Sequence, residues 1–116
     1  MEEIKVIFHV DELNKWDMVL KNVSNLLHAG EIEKLKVEVL ANGEAVKFYD
    51  LTADLKRDVS VMEKLNANGV RFVACNNALN GLKIKREALI KFIEIVPVGV
   101  LEIIKKQNEG FAYIKP

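Results

Sequence analysis

Residues 4–10, Ile-Lys-Val-Ile-Phe-His-Val, place apolar and mostly β-branched side chains on both parities of the chain. Successive side chains of an extended segment point to opposite faces, so a run that is apolar on both is covered on both. That is the pattern of a strand inside a parallel sheet. This segment constrains the fold most, because it demands a packed layer above and another below; it reads as the first, central strand. A first covering element follows at once. Trp16, Val19, Leu20, Val23, Leu26 and Leu27 recur at helical spacing over about four turns, with Gly30 placed as a C-terminal cap.

The alternation of strand and helix then repeats. Residues 35–41 form a second strand, and Asn42-Gly43 followed by mixed apolar spacing in 44–49 turns it into a short helix rather than a hairpin. Val59, Met62 and Leu65 mark a helix that ends near Asn66-Ala67-Asn68-Gly69. Residues 70–75 are a third strand, after which Asn76 and Asn77 offer side-chain caps to a helix through Ala78 and Leu79. Residues 85–93 are helical in pattern, with Leu89, Phe92 and Ile93 on one face. A short fourth strand at 93–96, a last helix at 98–107 and a fifth strand at 110–115 complete the series. Such alternation with right-handed crossovers predicts an α/β fold: three-layer α/β/α with a five-stranded, mostly parallel sheet, helices on both faces. With 116 residues and neither linker nor repeat, residues 1–116 read as one domain.

Composition narrows the function classes. Half the residues are hydrophobic and 29% are charged, a packed rather than a disordered composition. The 17 basic and 17 acidic residues are interspersed, so no basic face for nucleic acid is expected. Apolar runs such as 96–101, broken by Pro97 and Gly99, fall short of the roughly 20 residues that span a bilayer, so no membrane partner is expected either. The acidic start Met1-Glu2-Glu3 leads straight into a strand, unlike a signal peptide, and points to a cytoplasmic protein. One cysteine makes no intramolecular disulfide, and two distant histidines make no zinc motif with it. With no GxGxxG and no GxxxxGK[ST], no nucleotide cofactor is expected, and without CxxC no dithiol cycle.

In an open parallel sheet, chemistry gathers beyond the carboxyl ends of the strands. That rule selects residues 9–12, 42–44, 75–77 and 97–99, among which Cys75 is the only strong nucleophile. At a strand-to-helix junction, backbone N–H groups and the helix dipole stabilise a thiolate that could attack or carry sulfur. A buried, small apolar role fits the same residue. His9 could serve Cys75 as a base if the first and third strands bring their ends together, or could simply pack within its strand. Asn42-Gly43 and Asn76-Asn77 could donate to an anion or persulfide over Cys75, or only build turns and caps. Asp11 and Glu12, being adjacent in sequence, suit a loop or cap better than a paired catalytic site, and Trp16 suits the core or a subunit contact.

Three segments carry a family resemblance: Val70-Arg71-Phe72-Val73-Ala74-Cys75-Asn76-Asn77-Ala78-Leu79, Val39-Leu40-Ala41-Asn42-Gly43-Glu44-Ala45-Val46, and the ending Gly110-Phe111-Ala112-Tyr113-Ile114-Lys115-Pro116. Through them the chain resembles the small single-domain members of the DsrE/DsrF-like family over essentially its whole length. The resemblance implies a three-layer domain with a five-stranded parallel sheet, assembly into trimers or hexamers, and a link to sulfur transfer in which Cys75 would carry a persulfide between donor and acceptor proteins. Asn76-Asn77-Ala78-Leu79-Asn80-Gly81 stands where the sulfur-relay members follow their cysteine with small residues and a basic segment. A non-catalytic oligomeric scaffold or small-ligand binding module, with Cys75 structural, is the alternative. A Cys-His hydrolase using His9 is the third reading. A short, half-hydrophobic chain independently favours self-association.

Overall fold

The computed structural model describes residues 3–29 and 34–116; the cap predicted at Gly30 lies outside them. Five strands form one sheet: β1 (Glu3–Val10), β2 (Lys34–Ala41), β3 (Arg71–Cys75), β4 (Glu94–Val96) and β5 (Ala112–Ile114). Their order is β4-β3-β2-β1-β5 and every pairing is parallel. The middle strand is therefore β2, not β1 as the apolar run suggested. Both are interior, and hydrophobic patterning reports burial rather than rank within a sheet. Both edge strands are only three residues long, which limits the open ladder that a neighbouring chain could extend.

The two faces are covered unequally. Val6, Phe8, Val10, Val37, Val39, Ala41, Phe72 and Ala74 point to one side, against α1 (Trp16–Leu27), a 3-10 segment at Gly43–Tyr49, α2 (Val59–Ala67) and α3 (Asn76–Gly81). Trp16 anchors this layer: it stacks on Phe48 with centroids 4.6 Å apart, and its indole N–H donates to Ala45 O at 2.9 Å. Tyr49, also fully buried, donates its hydroxyl to the strand carbonyls of Val39 (3.3 Å) and Val73 (3.2 Å). Ile7, Leu40 and Val73 point to the other side, where, among the described residues, a single helix, α4 (Gly99–Asn108), covers them through Ile103. No helix among the described residues is long and apolar enough to cross a membrane.

Two sequence expectations are corrected here. Residues 85–93 are not a helix beyond a 3-10 turn at Arg86–Ala88. The chain enters through Lys83 at φ 57, and the backbone of 88–90 is taken up by pairing with 49–51: Leu51 N–H donates to Ala88 O and Ile90 N–H to Tyr49 O. Leu89 and Ile90 are thus buried from an extended segment whose apolar spacing imitates a helix. Asn76 and Asn77 do not cap α3; Cys75 occupies the N-cap position, and the asparagines are already the first two helical residues. By contrast α2 has a side-chain cap, with Asp58 accepting from the Ser60 N–H at 3.0 Å.

Candidate functional site

The register sets out what shares the α4 face. Val73, Cys75, Leu40, Ile7, His9 and Tyr113 alternate with the residues of the larger core, and Asn42 continues β2 by donating its N–H to Val10 O. Read across the carboxyl ends, the polar groups follow strand order: Cys75 from β3, Asn42 after β2, His9 from β1, Tyr113 from β5. The parallel sheet therefore gathers the predicted Cys75, Asn42 and His9 at one edge, and adds Tyr113.

Cys75 is 6% exposed, and its Sγ accepts the backbone N–H of Gly99 at 3.3 Å. Gly99 is the first residue of α4, so this N–H has no partner within the helix and is aimed at the sulfur from the positive end of the dipole. The close approach leaves little room for a side chain at position 99. A Cβ at position 99 would lie 3.1 Å from Cys75 Cβ, 3.4 Å from Sγ and 3.5 Å from Asn42 Cβ. The junction noticed in sequence was with α3, but the donor at the sulfur comes from α4, across the sheet end.

His9 Nε2 lies 2.8 Å from Asn42 Oδ1 and Nδ1 lies 2.7 Å from the Tyr113 hydroxyl. An amide oxygen only accepts, so Nε2 carries a proton, and in the neutral ring Tyr113 donates to Nδ1. Because β2 separates β1 from β3, the ring nitrogens of His9 are engaged by Asn42 and Tyr113 rather than by Cys75. The thiol–imidazole pair, one of the two readings of His9, has no contact among the described residues. Asn76 lines a separate cleft of about 470 Å³ with Leu79, Ile84 and Ile95, and Asn77 is exposed; neither hydrogen-bonds Cys75. Asp11 pairs with Lys115 at 3.3 Å, a surface contact. No group of three His, Cys, Asp or Glu side chains gathers as metal ligands among the described residues.

Nearer the amino ends of the strands, the same face holds a second polar group that sequence reading missed. Glu38 is 1% exposed; its Oε1 accepts from Arg71 Nη1 at 2.8 Å and lies 3.9 Å from Lys106 Nζ. Arg71 also grips Glu94 with two hydrogen bonds, at 2.9 and 2.8 Å. Burial pushes the Glu38 carboxyl up to about 8, helped by a hydrogen bond with the Glu102 carboxyl and by its charge, and opposed by Arg71 and Lys106. Glu94 is held below the ordinary carboxylate range by its Arg71 hydrogen bonds. In sequence, Glu38 sits in the run Lys36-Val37-Glu38-Val39 and looks like the solvent face of an alternating strand; only the crossing of α4 buries it.

An all-parallel three-layer sheet with a lone cysteine at its carboxyl edge, faced by a helix N-terminus, defines a class of small α/β proteins. The sequence profile of the DsrE/DsrF-like family matches residues 5–116, and the chain belongs to that family, which is associated with sulfur relay in general. Among solved structures it is similar to MTH1491 from Methanobacterium thermoautotrophicum, described as a protein of unknown function. The two are 29% identical with a TM-score of 0.85, over 98% of this chain and all of that one. The ychN protein from E. coli shares the fold at 14% identity and a TM-score of 0.73, with both chains fully covered. BT1422 from Bacteroides thetaiotaomicron shares it at 16% and 0.69, over 97% and 94%. No curated protein matches.

Proposed function

We propose that the protein is a sulfur carrier in which Cys75 accepts sulfane sulfur and passes it on. The Cys75 thiolate attacks the outer sulfur of a donor persulfide; a new S–S bond forms, the donor's S–S bond breaks, and the donor leaves as its thiolate. The reverse exchange with an acceptor thiol returns Cys75 to its starting state, with no net oxidation over the cycle. The observation that carries this reading is the Gly99 N–H directed at Cys75 Sγ from the start of α4, a donor that favours negative charge on sulfur. Asn42, whose side-chain oxygen is held by His9, lies on the other side of Gly99 from the sulfur and is proposed as an auxiliary donor to the loaded group. Family membership supports the sulfur assignment. The partners in this reading are donor and acceptor proteins of the cytoplasm, where a lone thiol stays reduced.

The test is intact mass after incubation with polysulfide. Because Cys75 is the only cysteine, each loaded sulfur adds about 32 Da at a known place. An increment on the wild type that is lost in Cys75→Ser is expected; no increment, or an equal one on both, contradicts the proposal. The low exposure of Cys75 favours a second reading, a binding or scaffold domain with a structural thiol. Thiol labelling separates the two, since a structural thiol reacts only as the chain unfolds. Self-association into trimers or hexamers belongs to the same proposal, supported by the exposed Val100, Leu101 and Ile104 of α4 and by Tyr113 and Ile114 of β5. Light scattering that returns a monomer contradicts it.

A further inference from the structure

A groove beside the edge strand β4 is left unused by the sulfur site. The cleft of about 470 Å³ that Asn76 lines with Leu79, Ile84 and Ile95 continues into a second, of about 570 Å³, through the shared Arg86, Glu87 and Ile95. Its floor is apolar and its rim is cationic. Although the chain is neutral overall, residues 83–91 set Lys83, Lys85, Arg86 and Lys91 against one carboxylate, Glu87. All four cations are exposed, and none makes an ion pair among the described residues. Glu94, which also lines the groove, is already held by Arg71. Lys83 takes its place in an unfavourable conformation. Past the end of α3 its N–H donates to Asn80 O at 3.1 Å and the Ile84 N–H to Leu79 O at 2.9 Å, with φ 57 at Lys83. That pair of bonds demands a left-handed residue, most often glycine; here a lysine occupies it and lines the cleft.

We infer that this groove docks an extended, acidic segment of a partner protein, with its carboxylates on the cationic rim and its apolar side chains on the floor. Side chains of an extended chain alternate in direction, so a segment that alternates acidic with apolar residues satisfies both at once. A phosphate backbone would meet the cations but set charge against Ile84 and Ile95, which favours a polypeptide. The ladder of β4 is only three residues long, too short to hold a strand by its backbone alone, so the charges carry the selection and orient the encounter. The groove adjoins the carboxyl edge of the sheet. Asn76 follows Cys75 along the chain, and Ile95 precedes Val96, the register partner of Cys75. That the docked protein exchanges sulfur with Cys75 rests on the role proposed for that residue; the docking itself does not.

Backbone amide NMR shifts of the full chain test it, with two probes: a synthetic peptide alternating glutamate with leucine, and the same peptide with glutamine in place of glutamate. The glutamate peptide is expected to shift amides in 76–87 and 94–96 and to weaken as salt is raised. Each exposed ion pair contributes a factor of about two to five, so the glutamine peptide is expected to bind at least about tenfold more weakly. The double variant Lys85→Glu, Arg86→Glu is expected to lose at least about tenfold with the glutamate peptide. Lys83→Gly suits the left-handed backbone; it is expected to keep or raise the melting temperature while weakening the peptide about two- to fivefold, a loss that misfolding does not explain. Cys75→Ser is expected to bind as the wild type does, so a failure of sulfur loading leaves this result standing. Equal affinity for the two peptides, shifts confined to another face, or undiminished binding in the double variant overturns the docking. Inorganic polyphosphate that shifts these amides where the glutamate peptide does not would assign the groove to phosphate and equally overturn it.

Discussion

Glu38→Gln is predicted to stabilise the protein by an amount that grows with pH. The native carboxyl sits at about 8 against an ordinary 4.5, so between these values the folded chain holds a proton that the unfolded chain has released. Stability then falls as pH rises, because the unfolded state binds fewer protons than the folded one. At ~1.4 kcal/mol per unit, about three units between pH 5 and pH 8 amount to about 4 kcal/mol, a large share of the 5–15 kcal/mol typical of a domain. Glutamine keeps the shape and its oxygen can accept from Arg71, so at pH 5 the two chains should be about equally stable. Urea denaturation of both at unit intervals from pH 5 to pH 9 measures the difference. It should widen up to about pH 8 and then hold constant. Parallel curves over the whole range would refute the assignment of a buried, protonated Glu38.

Other perturbations probe the remaining contacts. Gly99→Ala introduces no backbone strain, since φ at 99 is not in the left-handed region, but it forces a Cβ to 3.1 Å from that of Cys75. Overpacking of about 1–3 kcal/mol, offset by up to ~1 kcal/mol from a stiffer unfolded chain, should leave a net loss of about 1 kcal/mol in urea titrations and faster native labelling of Cys75. Tyr49→Phe removes a buried hydroxyl that bonds two strand carbonyls and should cost about 1–2 kcal/mol in the same assay. His9→Ala should leave the pH profile of Cys75 alkylation unchanged in shape, because His9 is bonded to Asn42 and Tyr113. A displacement of its inflection by more than about half a unit would restore the thiol–imidazole pair.

The strands were legible in the sequence because apolar runs such as 4–10 and 70–75 suit strands buried on both sides, as in a parallel sheet, and α1 because Trp16, Val19 and Val23 share one stripe. Residues 85–93 misled because Leu89 and Ile90 are buried by backbone pairing with Tyr49 and Leu51, and apolar spacing does not distinguish that arrangement from a helix. At the site, the rule of carboxyl ends pointed to the sheet end where Cys75, Asn42 and His9 lie but said nothing of strand order. That order places Asn42 between the other two. The same rule selected the segment 97–99 without assigning Gly99 a role, and Tyr113 was visible only as a member of a terminal strand. Nothing in the run around Glu38 indicated that a helix some sixty residues later would bury it.

Loading and discharge of sulfur on the same protein test the central claim most directly. Protein carrying the increment of about 32 Da would be freed of donor, mixed with an acceptor thiol and followed by intact mass. A carrier returns to its original mass while the acceptor gains one sulfur for each one lost, and Cys75→Ser does neither. Sulfur that never loads, or that stays on Cys75 with an acceptor in excess, would contradict the account.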